Sequence, residues 1–207
     1  MSHRMGRRKA AFAFLGAALA PGFGWAQALA PRADPRGSDG GPYVPTPIDV
    51  VHRMLDLAKV GPADLVVDLG SGDGRLVIEA ARRHGARGRG VERQVSLVEK
   101  AREAAAAAKV AARVRFEAGD IFDADLRDAT VVTLYLLPGL LIDLAPRLRV
   151  QLQPGARIVS HDFALPEWPP EAVVEFNSPE KERLIGIGVT NVFLYRVPRP
   201  GEGPTTR

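Results

Sequence analysis

Three acidic residues and one glycine-rich turn carry most of the chemistry that this chain can do. Leu65 to Leu69 is a strand-like apolar run with Asp68 near its end. It breaks into Gly70-x-Gly72-x-Gly74 and passes to Leu76-Val77-Ile78-Glu79-Ala80-Ala81, which reads as a helix. Glycines two apart let the backbone turn sharply and bring N–H groups close to a ligand at a helix N-terminus, which makes a nucleotide-type site. The spacing is not the G-x-G-x-x-G of dinucleotide-binding proteins. Ser71 lies inside the turn, and Asp68 can accept a hydrogen bond from an ammonium group. Glu92 follows Gly74 by 18 residues at the end of a second strand, where a carboxylate can take both hydroxyls of a ribose. A strand-end acid in an open crevice supports little packing, so Glu92 is expected to matter for ligand and not for stability. Asp120 closes a third strand, placed to accept from an adenine amino group, with Ile121 able to pack on the ring.

The elements that must hold these residues alternate. Thr46 and Pro47 read as cap and first residue of a helix whose Ile48, Val51, Leu55 and Ala58 share one face. After the glycine turn come a helix at 75–84, a strand at 88–92, a helix at 95–111 and a strand at 113–117. Thr130 to Pro138 is a nearly unbroken apolar strand, 139–152 a helix that Pro146 should kink or break, and 157–163 a fifth strand. Residues 173–176 and 191–197 form a hairpin-like last pair, separated by a polar loop at 177–183. Strand–helix alternation of this kind implies a parallel sheet covered on both faces. Tyr43 precedes the first helix, either as an aromatic staple on the domain or as a lid over the ligand.

Composition narrows the function classes. Apolar residues make up 46% and charged residues 25% of the 207, as in soluble globular proteins, and there is no cysteine for a disulfide, thiolate metal site or thiol nucleophile. No group of residues has the spacing of a metal site. The net charge of +4 comes from Arg4, Arg7, Arg8 and Lys9; removing these four from 28 basic residues leaves 24 against 24 acidic ones over 31–207. A nucleic-acid partner is therefore not expected. Those four precede an apolar run, Ala10 to Ala20, too short to span a bilayer, and Ala26-Gln27-Ala28 and Ala28-Leu29-Ala30 fit signal cleavage. Residues 1–30 thus read as an export signal, loosely of twin-arginine type, which implies a periplasmic protein; without its use the protein is cytoplasmic, and no stable membrane span is expected. Residues 31–42 read as a flexible linker, 43–197 as the folded domain, and 198–207 as a disordered tail.

Tyr43-Val44-Pro45-Thr46-Pro47, Asp68-Leu69-Gly70-Ser71-Gly72-Asp73-Gly74-Arg75, Gly90-Val91-Glu92, Gly119-Asp120, the Leu134–Pro138 strand end and Trp168-x-Pro170 fall in the order of a known family. The glycine turn resembles motif I of class I S-adenosylmethionine-dependent methyltransferases. The set is similar to the ATP synthase c-subunit lysine methyltransferases and their archaeal protein-lysine relatives. That resemblance implies a seven-stranded Rossmann-like α/β fold, mostly parallel, with helices on both faces and an antiparallel last strand. It implies S-adenosylmethionine as cofactor, held by Asp68, Gly70, Ser71, Gly72 and Gly74 at the methionine part, Glu92 at the ribose, and Asp120 with Ile121 at the adenine, with Tyr43 nearby. Thr133-Leu134-Tyr135-Leu136-Leu137-Pro138 stands where amino-group methyltransferases acting on bases or glutamine carry Asn/Asp-Pro-Pro-Tyr, which disfavours those substrates.

The expected acceptor is an amine, most simply a protein lysine, reached beside Tyr135 and Pro138. Its ammonium, with a pKa of about 10.4, must lose a proton first, and an apolar channel would lower that value by desolvation. Tyr135 could instead be core packing; His161 and Asp162 are further acceptor-side candidates. A small-molecule methyltransferase and a non-catalytic exported S-adenosylmethionine-binding protein are the alternatives, the first made less attractive by the short chain left to build a cover.

Overall fold

The computed structural model describes residues 43–199. The 1–30 segment read as a signal, the whole 31–42 linker, and all but the first two residues of the 198–207 tail lie outside the described residues. Seven strands form one sheet: β1 (Leu65–Leu69), β2 (Arg87–Glu92), β3 (Val114–Ala118), β4 (Val131–Leu134), β5 (Arg157–His161), β6 (Ala172–Asn177) and β7 (Val189–Arg196). Their spatial order is β3-β2-β1-β4-β5-β7-β6. The first five pair in parallel, and β7 runs antiparallel to both β5 and β6. The helices are α1 (Ile48–Leu57), α2 (Arg75–His84), α3 (Val95–Ala107), α4 (Pro138–Gln151) and α5 (Pro179–Ile185).

Alternation along β1 explains why it needs cover on both sides. Leu65, Val67 and Leu69 join Leu141, Leu144 and Leu148 of α4 and the buried Trp168 and Tyr195 in one core. Val66 faces the other way, into a core with Val50, Val51, Met54 and Leu55 of α1. Trp168 therefore belongs to the fold: it lies against Tyr195, and the Arg149 guanidinium sits 5.0 Å from its ring. Asp68 shares the α1-side parity of Val66, and its cross-strand neighbour is Thr133.

Several expectations from sequence are corrected. The residue preceding α1 is Pro47, with no side-chain cap from Thr46; the Ile48 N–H donates instead to Glu180 Oε2 at 2.7 Å, 132 residues away. β4 stops at Leu134, so Tyr135 to Leu137 lie beyond the ladder. α3 ends at Ala107, short of 111, and Lys109 adopts φ +58°. α4 runs through Pro146 without a break, because that residue sits on the exposed face, where water can satisfy the carbonyl one turn back. The polar loop expected at 177–183 is instead α5, capped by Ser178 Oγ accepting from the Lys181 N–H at 3.0 Å with Pro179 at the first helical position.

Candidate functional site

The glycine turn joins β1 to α2 with Gly70, Gly72 and Gly74 all at positive φ (+79°, +53° and +78°), a conformation that disfavours any side chain. Close packing adds a second reason at two of them. A Cβ on Gly72 would stand 2.4 Å from Cε2 of Tyr43, and one on Gly74 would stand 2.6 Å from the Phe116 ring. The turn's N–H groups, however, are largely turned inward. Those of Gly70 and Ser71 donate to the Val91 carbonyl, that of Gly72 to Glu92 Oε2 at 2.9 Å, and that of Gly74 to the Ser71 carbonyl. The expectation that these amides would face a ligand is thus corrected; the glycines serve close approach.

Around the turn stand the acids. Asp68 is buried, and its Oδ1 accepts from the Thr133 hydroxyl at 2.7 Å. Burial, only partly relieved by that hydroxyl and reinforced by the Glu92 and Asp73 charges, pushes the Asp68 carboxyl up to about 7. Such a carboxyl is suited to receive a cation. Glu92 is also buried, contrary to the open strand end expected; besides Gly72 it accepts from the Gln94 N–H at 2.9 Å. Two oxygens with further lone pairs remain able to accept from a diol. Ser71 Oγ is buried with no hydrogen-bond partner, a polar atom awaiting one. Asp120 is two residues past β3, its Oδ1 accepting from the Phe122 N–H at 2.9 Å and its Oδ2 3.1 Å from the Arg93 guanidinium. Ile121, partly buried, packs against the α4-side core.

Tyr43 lies over this turn. Its ring packs on Gly72, and burial with the nearby Asp73 charge pushes its phenol up to about 12. Burial works against ionising Asp73, but the Arg75 guanidinium, 2.7 and 2.9 Å away, outweighs it and holds the carboxyl below its ordinary value. Arg75 also donates to the Thr46 carbonyl at 3.1 Å. The segment before α1 is thereby strapped onto the glycine turn, an arrangement that the types and spacing of Asp73 and Arg75 alone did not signal.

At the far side of the same sheet edge, one residue past the Leu134–Ser160 pair, Tyr135 stacks on His161 with ring centroids 3.9 Å apart. Tyr135 is half-buried and its phenol is pushed above the ordinary value by burial and then by Asp162. His161 is fully buried; burial pushes it down to about 4, so it is neutral at neutral pH. Pro138 is exposed and opens α4. Between the two halves, Leu136 reaches the turn, its Cδ2 being 3.0 Å from where a Gly70 Cβ would be. The sheet end therefore brings Tyr43, Asp68, the turn and Glu92 together, with Asp120 and Ile121 at the β3 side and Tyr135 and Pro138 at the β4 side. Thr133, Leu136 and Arg93 are site residues to which sequence reasoning gave no role, although Arg93 adjoins Glu92 and the other two lie in the Thr133–Pro138 stretch already singled out.

A parallel sheet of order 3-2-1-4-5-7-6 with an antiparallel β7 and this acid-lined glycine turn defines a class I S-adenosylmethionine-dependent methyltransferase. A family model described as the ANTKMT methyltransferase domain matches residues 68–172, and the chain belongs to that family. It is 42% identical over 140 residues to a protein-lysine N-methyltransferase of Saccharolobus islandicus, covering 65% of this chain and 84% of that relative. It is 39% identical over 165 residues to the adenine nucleotide translocase lysine N-methyltransferase of Mus musculus, covering 79% and 66%. A solved structure from Salinibacter ruber, described as an RNA methyltransferase in complex with S-adenosyl-L-homocysteine, shares 48% identity at a TM-score of 0.69, covering 79% of this chain and 98% of that one.

Proposed function

We propose that this methyltransferase modifies an amine on a protein, a lysine ε-amine. The observation that carries the reading is the 42% identity, over 84% of its length, to a protein-lysine N-methyltransferase. The acceptor side supports it, since Tyr135 rests on a neutral His161 and an amine meets no fixed positive charge from that ring.

S-adenosylmethionine supplies an activated sulfonium methyl, so the chain's task is alignment and proton management. In this reading Asp68 takes the ammonium of the methionine part beside the closely approachable Gly70–Gly74 turn, and Ser71 Oγ gains its missing partner. Glu92 accepts from the ribose hydroxyls, and Asp120 and Ile121 border the adenine. Tyr43 covers the turn. Tyr135, whose phenol stays protonated at neutral pH, and Pro138 line the acceptor mouth. Removing water there lowers the acceptor's pKa, and only the neutral amine has the lone pair to attack.

RNA is the second reading, because the Salinibacter ruber chain is described as an RNA methyltransferase. Balanced charge over residues 31–207, 24 basic against 24 acidic, disfavours it, since phosphate binding draws on an excess of Lys and Arg. Tritiated methyl transfer into an extract from a strain lacking the gene separates the readings. Label is expected in the protein fraction, on lysine; label confined to RNA or to small molecules overturns the lysine assignment. We also propose, on residues 1–30 alone, that the protein is exported as a folded domain.

A further inference from the structure

β5 ends in a turn that its own sequence does not favour. Asp162 has φ +61°, and the Phe163 N–H donates to the His161 carbonyl at 2.8 Å, which makes a three-residue γ-turn with positive φ at a non-glycine residue. Such strain persists only where the surroundings over-determine it, and it concentrates at functional sites. Here four contacts hold the turn, the first being the Ser160 hydroxyl, which donates to the Phe163 carbonyl. The Asp162 N–H donates to the Asn191 carbonyl at 2.7 Å, and the Asn191 N–H donates to Asp162 Oδ1 at 3.2 Å. Lys181 of α5, buried, places Nζ 2.6 Å from Asp162 Oδ2, and the same Nζ donates to the Val189 carbonyl at 2.7 Å.

What the turn delivers is an aromatic stack. His161 lies 3.9 Å from Tyr135 and Phe163 lies 6.5 Å from it, at interplanar angles of 30° and 15°. Neither ring nitrogen of His161 has a hydrogen-bond partner, and Asp162 Oδ2 stands off at 3.5 Å from Nε2. A buried, unpartnered imidazole is costly to the fold, so its retention beneath Tyr135 calls for a reason other than stability. We propose that Asp162 and Lys181 are positioning residues for methyl transfer: their ion pair holds the strained turn that sets His161 under Tyr135 and so fixes the Tyr135 ring at the acceptor mouth. The inference rests on reading Tyr135 as part of the acceptor face.

Full-length Asp162→Ala and Lys181→Met variants test it through three readouts: S-adenosylmethionine affinity by calorimetry, methyl transfer at saturating S-adenosylmethionine into whichever extract fraction the wild type labels, and proton NMR of the His161 ring. The His161 signals are identified by their loss in His161→Gln and should lie upfield through the ring current of Tyr135. In both variants that upfield shift should collapse and transfer should slow at least tenfold, with the cofactor dissociation constant within twofold of wild type. Asp162→Asn tolerates the left-handed backbone and keeps an oxygen for the Asn191 N–H, but it turns an uncharged NH2 donor toward the Lys181 ammonium and so breaks the ion pair. Transfer by Asp162→Asn should therefore slow nearly as much as in Asp162→Ala. Wild-type transfer by Asp162→Asn, a moved His161 signal with unchanged transfer, or equal loss of cofactor affinity in all variants would each overturn the proposal. Wild-type label outside the protein fraction would refute the lysine reading alone and leave this comparison intact.

Discussion

Buried beside Thr133 with Glu92 and Asp73 nearby, Asp68 is held at about 7, well above the carboxylate value of 3.8. Because the folded-state value is raised, the stability that Asp68 lends is complete below about pH 4 and is lost as pH rises through about 7. Without cofactor, the wild type should therefore lose thermal stability between about pH 4 and pH 7 by more than Asp68→Asn, measured by calorimetric melts. S-adenosylmethionine affinity should move the opposite way, rising over the same interval as the carboxylate forms, and Asp68→Asn should weaken it at least tenfold at pH 8. A pH-independent wild-type affinity would mean that Asp68 receives no cation. Glu92 gives a different signature. Glu92→Ala leaves the Gly72 and Gln94 N–H groups without their charged acceptor, so a loss of about 2 kcal/mol and a melting point lower by a few degrees should accompany at least tenfold weaker cofactor binding. Unchanged melting would return Glu92 to the role of a solvated strand end.

Elements far apart in sequence hold the site's rim. The Glu180 carboxylate caps the first N–H of α1, and the Ser178 hydroxyl donates to Asp49 in that helix's first turn, 2.8 Å to Oδ2, so α5 clasps the start of α1. Glu180→Ala should cost about 1 kcal/mol in urea titration, the scale of a lost helix cap, and loosen the Tyr43–Pro47 segment enough to raise the cofactor dissociation constant severalfold. Wild-type affinity in that variant would uncouple the clasp from the turn. The parts legible in sequence are the local ones. The span of β1, the glycine turn and α2 are each fixed by neighbours within a few residues, and Asp68 and Glu92 inherit their positions from strand ends. The α1–α5 clasp and the Asp162–Lys181 pair join residues whose meeting depends on the completed sheet, and no periodicity announces them. α5 was legible in principle: Ser178-Pro179 followed by Glu180 is a cap and first-turn pattern, but its polarity outweighed it. The early end of β4 had no such signal, since Tyr135 to Leu137 continue its apolar run; beyond the ladder Tyr135 packs on His161 and Leu136 on the Gly70 turn.

For the molecule as a whole, the export proposed above rests on residues 1–30 and the methyltransferase fold on residues 43–199. Cell fractionation with N-terminal sequencing should find a mature chain beginning near residue 29 or 31 outside the cytoplasm. A full-length chain confined to the cytoplasm would remove the export proposal without touching the chemistry. The Tyr43 strap has a consequence for handling the protein. Tyr43, whose ring covers Gly72, stands at the doorway of the proposed cofactor site and not at the back of the sheet. A dye coupled at position 43 in a Tyr43→Cys variant should change its emission as that doorway fills, whereas a bulky rigid group there should act as a doorstop.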